Sequence, residues 1–236
     1  MQNKVEALNL YAKVEELLGV KEVAPKLYTY YFELLKEIEF DTLLDIGCGD
    51  GAFLSLLDSL GVASYTLGVD KSPLMVQRAL ERGVNATTKD LDKLNREFDV
   101  ITAIFDMVNY LTPDELEEFF SRLSSVTKEG SYFIFDINSY YGLSELAVGN
   151  FIAQDEQRFV SIESFFEDNC YESYFTLFEK EQNGCYKKSA QQINQYYYPL
   201  EHFKNIKKWK VLKTIDIALY DQEHIDKHLI VMQKLK

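Results

Sequence analysis

The chain is poor in the residues that staple or metallate a fold. Only three of its 236 residues are cysteines, Cys48, Cys170 and Cys185, widely spaced and without a CxxC pair. That excludes a disulfide framework or a cysteine-held zinc, and it fits a reducing, cytoplasmic compartment. The three histidines, His202, His224 and His228, all fall late in the chain. His224 and His228 have i, i+4 spacing but lie beside a predicted strand, and no metal site is expected. Basic residues are also short: 25 Lys and Arg face 38 Asp and Glu, for a formal net charge of −13. Such a surface repels phosphate backbones and anionic lipid, which argues against a broad nucleic-acid or membrane footprint. One lysine stripe, Lys204, Lys207, Lys208, Lys210 and Lys213, reads as a solvated face, though it leaves tRNA open as a partner. No stretch approaches the roughly 18 apolar residues of a membrane span, and the charge-broken segment MQNKVEALNLYAKVEELLGV lacks a secretory apolar core.

Apolar residues make up 47% of the chain, enough for a sizeable core, and rings are abundant at 16 Tyr and 16 Phe against one Trp. Wholesale disorder is excluded; a packed sheet or an aromatic-lined cavity is indicated.

Hydrophobic periodicity divides the chain. Leu8, Tyr11, Val14, Leu17 and Leu18 recur at helical spacing, as do Leu27, Tyr30, Tyr31, Leu34, Leu35 and Ile38 after Pro25. From residue 42 short apolar runs alternate with helical stretches. Strands are expected at 42–46, 64–69, 85–88, 98–105 and 131–137, with helices at 52–60, 73–82 and 113–126. This alternation predicts parallel βαβ units in an open sheet covered on both faces, with ligands at the carboxyl ends of the strands. After residue 150 the texture turns β-rich, at 159–166, 170–181 and 186–198, with Gln182-Asn183-Gly184 as a hairpin signal. A short helix over 199–207 and strands at 209–218 and 228–234 close the chain. The expected organisation is one domain over 1–236: a helical lid at 1–38, a ligand-binding core at 40–140, a β-rich insertion at 150–208, and closing strands at 209–236.

The informative segment is Leu44-Asp45-Ile46-Gly47-Cys48-Gly49-Asp50-Gly51-Ala52-Phe53, between a predicted strand and a predicted helix. Glycines there let backbone approach a ligand closely. Gly47, Gly49 and Ala52 also satisfy a relaxed dinucleotide pattern, so a nicotinamide cofactor must be weighed. Asp45 counts against it, because a buried carboxylate would oppose a pyrophosphate but would pair with a cationic group such as the α-amino group of S-adenosylmethionine. Asp70 ends the second strand, placed to accept from both ribose hydroxyls. Ser72-Pro73 is an ordinary helix start. Asp90 follows the third strand, where an acid can accept from an adenine amino group.

In order, Asp45-x-Gly47-x-Gly49-x-Gly51, Asp70-Lys71-Ser72-Pro73-Leu74-Met75, Lys89-Asp90-Leu91, Phe98-Asp99-Val100-Ile101 and Asp106-Met107-Val108-Asn109-Tyr110-Leu111 resemble the class I S-adenosylmethionine-dependent methyltransferases. The β-rich insertion and last strands resemble a subgroup of bacterial small-molecule methyltransferases that includes aminosugar N-methyltransferase relatives. The resemblance implies a Rossmann-like α/β fold, with a mixed seven-stranded sheet, helices on both faces, an antiparallel terminal hairpin and an inserted antiparallel β cap. It implies S-adenosylmethionine as cofactor. Its methionine part would lie on the loop of Asp45, Gly47, Cys48, Gly49 and Gly51, and its ribose on Asp70, beside Lys71. Its adenine would lie on Asp90 and Leu91, with Phe105 and Asp106 alongside. Asp50 departs from the family's common Thr or Ser.

Methyl transfer to O or N of a small molecule needs alignment of nucleophile and methyl group and exclusion of water, and a base only where the nucleophile must lose a proton. No base constellation stands out. Asp106, Asn109, His202 and Tyr31 are the catalytic candidates, with Asn109 also readable as a turn cap before Pro113. Tyr28, Tyr30, Tyr140, Tyr141 and Tyr196-Tyr197-Tyr198 are candidate pocket rings. Cys48, without a histidine partner, reads as packing. The loop after the fourth strand lacks Asn-Pro-Pro-aromatic, against DNA amino-methylation. The rival readings are a tRNA-modifying enzyme and an S-adenosylmethionine-binding regulatory protein without turnover. A homodimer contact through the β insertion is also expected.

Overall fold

The structure, a computed structural model, describes residues 2–236. Two helices lead, α1 (Gln2–Val14) and α2 (Val20–Leu35), joined by a tight turn at Glu15–Leu17 and by Gly19 at φ 73°. Pro25 lies inside α2, not ahead of it. The helix survives the missing donor because Ala24, Leu27, Tyr31, Leu34 and Leu35 bury one continuous face. There follow β1 (Thr42–Ile46), α3 (Ala52–Leu60), β2 (Tyr65–Val69), α4 (Pro73–Glu81), β3 (Ala86–Thr87), β4 (Phe98–Ala103), α5 (Pro113–Leu123) and β5 (Thr127–Asn138). Four antiparallel strands come next, β6 (Gly149–Gln154), β7 (Arg158–Glu167), β8 (Cys170–Lys180) and β9 (Tyr186–Tyr196). Last are α6 (Leu200–Lys204), β10 (Trp209–Ile217) and β11 (Lys227–Lys234).

The main sheet has seven strands in the order β10-β11-β5-β4-β1-β2-β3. β1 to β5 run parallel, and β11 runs antiparallel to both β5 and β10. Strand order reverses between β1 and β4, the point where an open parallel sheet leaves a crevice at its carboxyl edge. Apolar clusters cover both faces of this sheet. No described helix is long and apolar enough to cross a membrane.

The inserted strands form a second sheet, β6-β7-β8-β9. It has no core of its own. Val160, Ile162, Phe175, Leu177 and Ile193 on its inner face bury against Ala7, Leu10 and Val14 of α1. With roughly 1.5–3 kcal/mol for each large apolar side chain buried, this shared layer is what seats the cap. Polar links add to it: Lys13 pairs with Glu179 at 2.7 Å, and Arg158 donates to the Lys13 carbonyl.

Three features went unanticipated. β6 carries no apolar alternation and forms because β7 offers it an edge. The β7–β8 hairpin turns on Asp168 and Asn169, both left-handed at φ 50° and 61°, a two-residue turn that needs no glycine because Asp and Asn tolerate that region. β5 also starts four residues earlier than expected, pairing Thr127 with Phe98 before a register shift.

Candidate functional site

β1 ends in the glycine loop. The Gly47 and Cys48 amides donate to the Val69 carbonyl at 2.7 and 3.1 Å, tying the loop to β2. Gly47 sits at φ 75°, and a Cβ there would stand 2.7 Å from the Met107 side chain. Gly51, also left-handed, packs against Ala79 of α4. Gly49 differs: nothing lies within 4 Å of where its Cβ would be, so its face of the loop is open to a ligand. Asp50, the departure from the family's pattern, is held by Arg82 and accepts from the Ala52 amide at 3.1 Å. Cys48 packs inward, and burial pushes its thiol up, which suits packing and not nucleophilic chemistry.

Three carboxylates surround this loop in different states. Asp45, 2% exposed, has among the described residues one hydrogen-bond partner, the Thr102 hydroxyl at 2.7 Å, and no cation. Burial pushes its carboxyl up to about 7, with the nearby Asp70 adding to the rise. Asp70 accepts from the Gly49 amide at 3.0 Å and from the Ser72 amide at 2.8 Å, so it braces the loop from β2; burial raises its pKa as well. Asp90 is the opposite case. Hydrogen bonds from Lys71 and Lys93 hold its carboxyl down at about 2. Lys71 is thereby directed to Asp90, and Leu91 is buried in the core beside it.

A second constellation lies after β4. Phe105 and Asp106 are consecutive left-handed residues, at φ 59° and 52°. Their amides donate to the two oxygens of Asp136 on β5, at 2.8 and 2.9 Å. Asp136 also accepts from the Tyr31 hydroxyl at 2.7 Å and from Lys227 Nζ at 3.0 Å. Lys227 bonds Asp106 as well, and the other Asp106 oxygen accepts from Gln195 of the cap sheet. Around Asp106 stand four phenols from four parts of the chain. Burial pushes up Tyr11 of α1, Tyr110 of the turn after β4, Tyr171 of β8 and Tyr220 of the β10–β11 connection, and the Asp106 charge adds to each shift.

Sequence reasoning found Asp106 but missed Asp136, Lys227 and Gln195. The signal for Asp136 was present: a lone carboxylate in the apolar run Phe133–Ile137, the same argument that singled out Asp45. Lys227 and Gln195 carry no local signal, since their partners are distant in sequence.

Three catalytic candidates take other places. Asn109 is fully buried; its amide donates to the Tyr196 carbonyl at 2.7 Å and its oxygen accepts from the Asn138 amide at 3.0 Å. It caps no helix either, because Thr112 caps α5 through a capping box with Glu115. Tyr31 is buried with its hydroxyl committed to Asp136. His202 packs against Tyr198 and Phe203, with no hydrogen bond to the acids described above. His224 and His228 turn to different carboxylates, Asp221 and Asp216, each at 2.8 Å. Of the rings, Tyr28 lies over Phe53 and Phe105 and feels the Asp45 and Asp50 charges, which places it above the glycine loop. Tyr140, 53% exposed, meets Phe166 and Tyr197 edge-on at the rim.

A buried acid without a counter-charge among the described residues, an open glycine face and a carboxylate at the end of β2 can receive a cationic ligand with hydroxyl groups. A family model described as a methyltransferase domain matches residues 43–130. The crystal structure of an S-adenosylmethionine-dependent methyltransferase from Clostridium acetobutylicum is 26% identical and covers 97% of this chain and 100% of that one, with a TM-score of 0.78. CalS10, an amino pentose methyltransferase from Micromonospora echinaspora seen with bound S-adenosylmethionine, is 19% identical over 91% of this chain and 96% of its own, with a TM-score of 0.66. The sugar N-methyltransferase KedS8 from Streptoalloteichus covers 89% of this chain and 87% of its own at 16% identity, with a TM-score of 0.68.

Proposed function

We propose that the chain is a class I S-adenosylmethionine-dependent methyltransferase that methylates a nitrogen of a polar, amine-bearing small molecule. One observation carries the choice of acceptor. The phenols of Tyr11, Tyr110, Tyr171 and Tyr220 gather around the Asp106 carboxylate, while Lys227, the buried cation beside it, is bound by two carboxylates. Such a surface receives N–H donors and cations and opposes carboxylate or phosphate acceptors. CalS10 and KedS8, described as amino pentose and sugar N-methyltransferases, support the same reading.

S-adenosylmethionine supplies an activated methyl group on sulfonium, so the chain's residues work mainly by placement. Asp45 is the counter-charge for its α-amino group, and the Gly47–Gly51 loop, with Cys48 packed beneath, holds its methionine part. Asp70, already oriented by two amides, takes the ribose hydroxyls. Asp90 and Leu91 take the adenine, the amino group competing with Lys71 for the Asp90 carboxylate. Phe105 and Asp106 flank the methyl side, where Asp106 accepts an N–H and directs the lone pair in line. Tyr28 and α1 keep water out.

The test is release of S-adenosylhomocysteine across matched amines, alcohols, carboxylates and bulk tRNA. Turnover confined to amine-bearing compounds is expected. Turnover only with carboxylates, or only with tRNA, would overturn the acceptor assignment, and tight cofactor binding with no turnover on any class would favour a regulatory role.

A further inference from the structure

We infer that Lys227 is a positioning residue for the acceptor side of the site, holding the Phe105–Asp106 turn and the cap residue Gln195 in one arrangement; its link to turnover rests on the acceptor reading above. Lys227 opens β11 with a side chain 1% exposed. An ammonium that buried is tolerated only with close anionic partners, and it has two: Asp136 at 3.0 Å and Asp106 in direct contact. The Asp106 and Asp136 charges hold its pKa raised against the opposing pull of burial, so it stays a cation at any working pH.

Both partners serve one strained segment. Two consecutive non-glycine residues at positive φ, one of them the bulky Phe105, persist only where the surroundings over-determine them. Asp136 does so by receiving both amides. It sits fully buried, close to a second carboxylate that belongs to the same turn. Without a cation between them, Asp136 and Asp106 repel, and the turn is driven away from the acceptor that anchors it.

The groups facing Asp106 come from every element packed on it: Tyr11 from α1, Tyr110 from the turn after β4, Asp136 from β5, Tyr171 from β8, Gln195 from β9, and Tyr220 from the connection before β11. All are phenols, an amide or an acid. Among the described residues, Lys227 is the cation bonded to Asp106. Through Asp106 it also reaches the cap, since the free carboxylate oxygen is the one that accepts from Gln195. The glycine loop meets this turn where the Met107 side chain lies by Gly47, but its amides are tied to Val69 and Asp70.

The experiment compares Lys227→Met and Lys227→Arg with the parent protein by native-state hydrogen exchange and by calorimetric binding of S-adenosylmethionine. In Lys227→Met, exchange at the Phe105 and Asp106 amides should rise by about 10- to 100-fold, the loss expected for a charged buried hydrogen bond. Exchange at Gly47 and Cys48 should not change, and the cofactor Kd should stay within about threefold. Lys227→Arg, which keeps the charge, should restore part of the protection. A uniform rise across β4, β5 and β11 with a parallel loss of cofactor affinity would make Lys227 a plain core ion pair and overturn the inference. If Lys227→Met does not fold, Lys227→Arg decides alone: loosening confined to the Phe105 and Asp106 amides supports the inference, and loosening spread evenly across β4, β5 and β11 overturns it. With an amine acceptor in hand, kcat/KM for that amine should fall about 100-fold in Lys227→Met. Absence of amine turnover in the parent protein would strike the acceptor reading and leave the exchange result standing.

Discussion

Asp45 keeps a carboxylate in a dry place with only a threonine hydroxyl for company. Its folded pKa of about 7 lies above the ordinary carboxylate value. Between those two values the folded chain holds a proton that the unfolded chain has released, so this residue's contribution to stability falls as pH rises from about 4 to about 7 and is flat above. Asn at this position keeps the Thr102 hydrogen bond and has no charge to bury. The apo Asp45→Asn protein should therefore gain on the parent as pH rises, by on the order of 1–4 kcal/mol above pH 7, while losing about tenfold or more in cofactor affinity. Thermal unfolding from pH 5 to 8, with and without S-adenosylmethionine, measures both; parallel pH profiles for the two proteins would refute it. Glu15, raised to about 7 mainly by burial, acts in the same direction but is present in both proteins and cancels. Asp45 was legible because a single acid interrupts an apolar strand beside glycines. Lys227 was not, because its meaning depends on two carboxylates more than ninety residues away.

Among the elements, those of the main sheet were legible nearly to their ends, since burial on both faces leaves long apolar runs between glycine and proline stops. The turn after β4 was not. Asn109 looked like a cap or a substrate contact, but it bolts that turn to β5 and to the cap strand β9. The cap of α5 falls instead to Thr112 and Glu115. The two side chains should separate in a stability measurement. Asn109→Ala leaves the Asn138 amide and the Tyr196 carbonyl without this partner and should lower unfolding free energy by about 2–4 kcal/mol, whereas Thr112→Ala should lower it by about 1 kcal/mol. Urea unfolding of both variants reads the difference, and equal losses would argue against the bolt.

At the scale of the whole molecule, the cap sheet leaves an undefended edge. β6 is the outer strand of the cap sheet, its partner-free side carries neither lysine nor proline, and Phe151 and Ile152 are 45% and 63% exposed. Edge strands of that kind invite pairing with another strand. We expect two copies to join through β6, with Phe165 and Tyr174 on the outer face of the cap adding apolar area. Ile152→Lys should shift the protein from dimer to monomer in sedimentation, and a monomeric parent would refute the contact. Three of the four cap strands were legible from β texture and turn residues; β6 and the cap's dependence on the amino-terminal helix were not, because no local pattern says which edge or face a strand will seek.

That dependence bears on how such a protein changes its preferences. α1 touches both sides of the site: Asn9 receives the Ser72 hydroxyl two residues past Asp70, and Ala7, Leu10 and Val14 complete the interior of the cap. The cap and its seat are therefore written in two separate stretches, residues 4–18 and 149–196. A cap transplanted from a relative would arrive without its own foundation. Substrate range in this architecture should drift by paired changes in the two stretches, and a chimera exchanging both together is the one that keeps its shape.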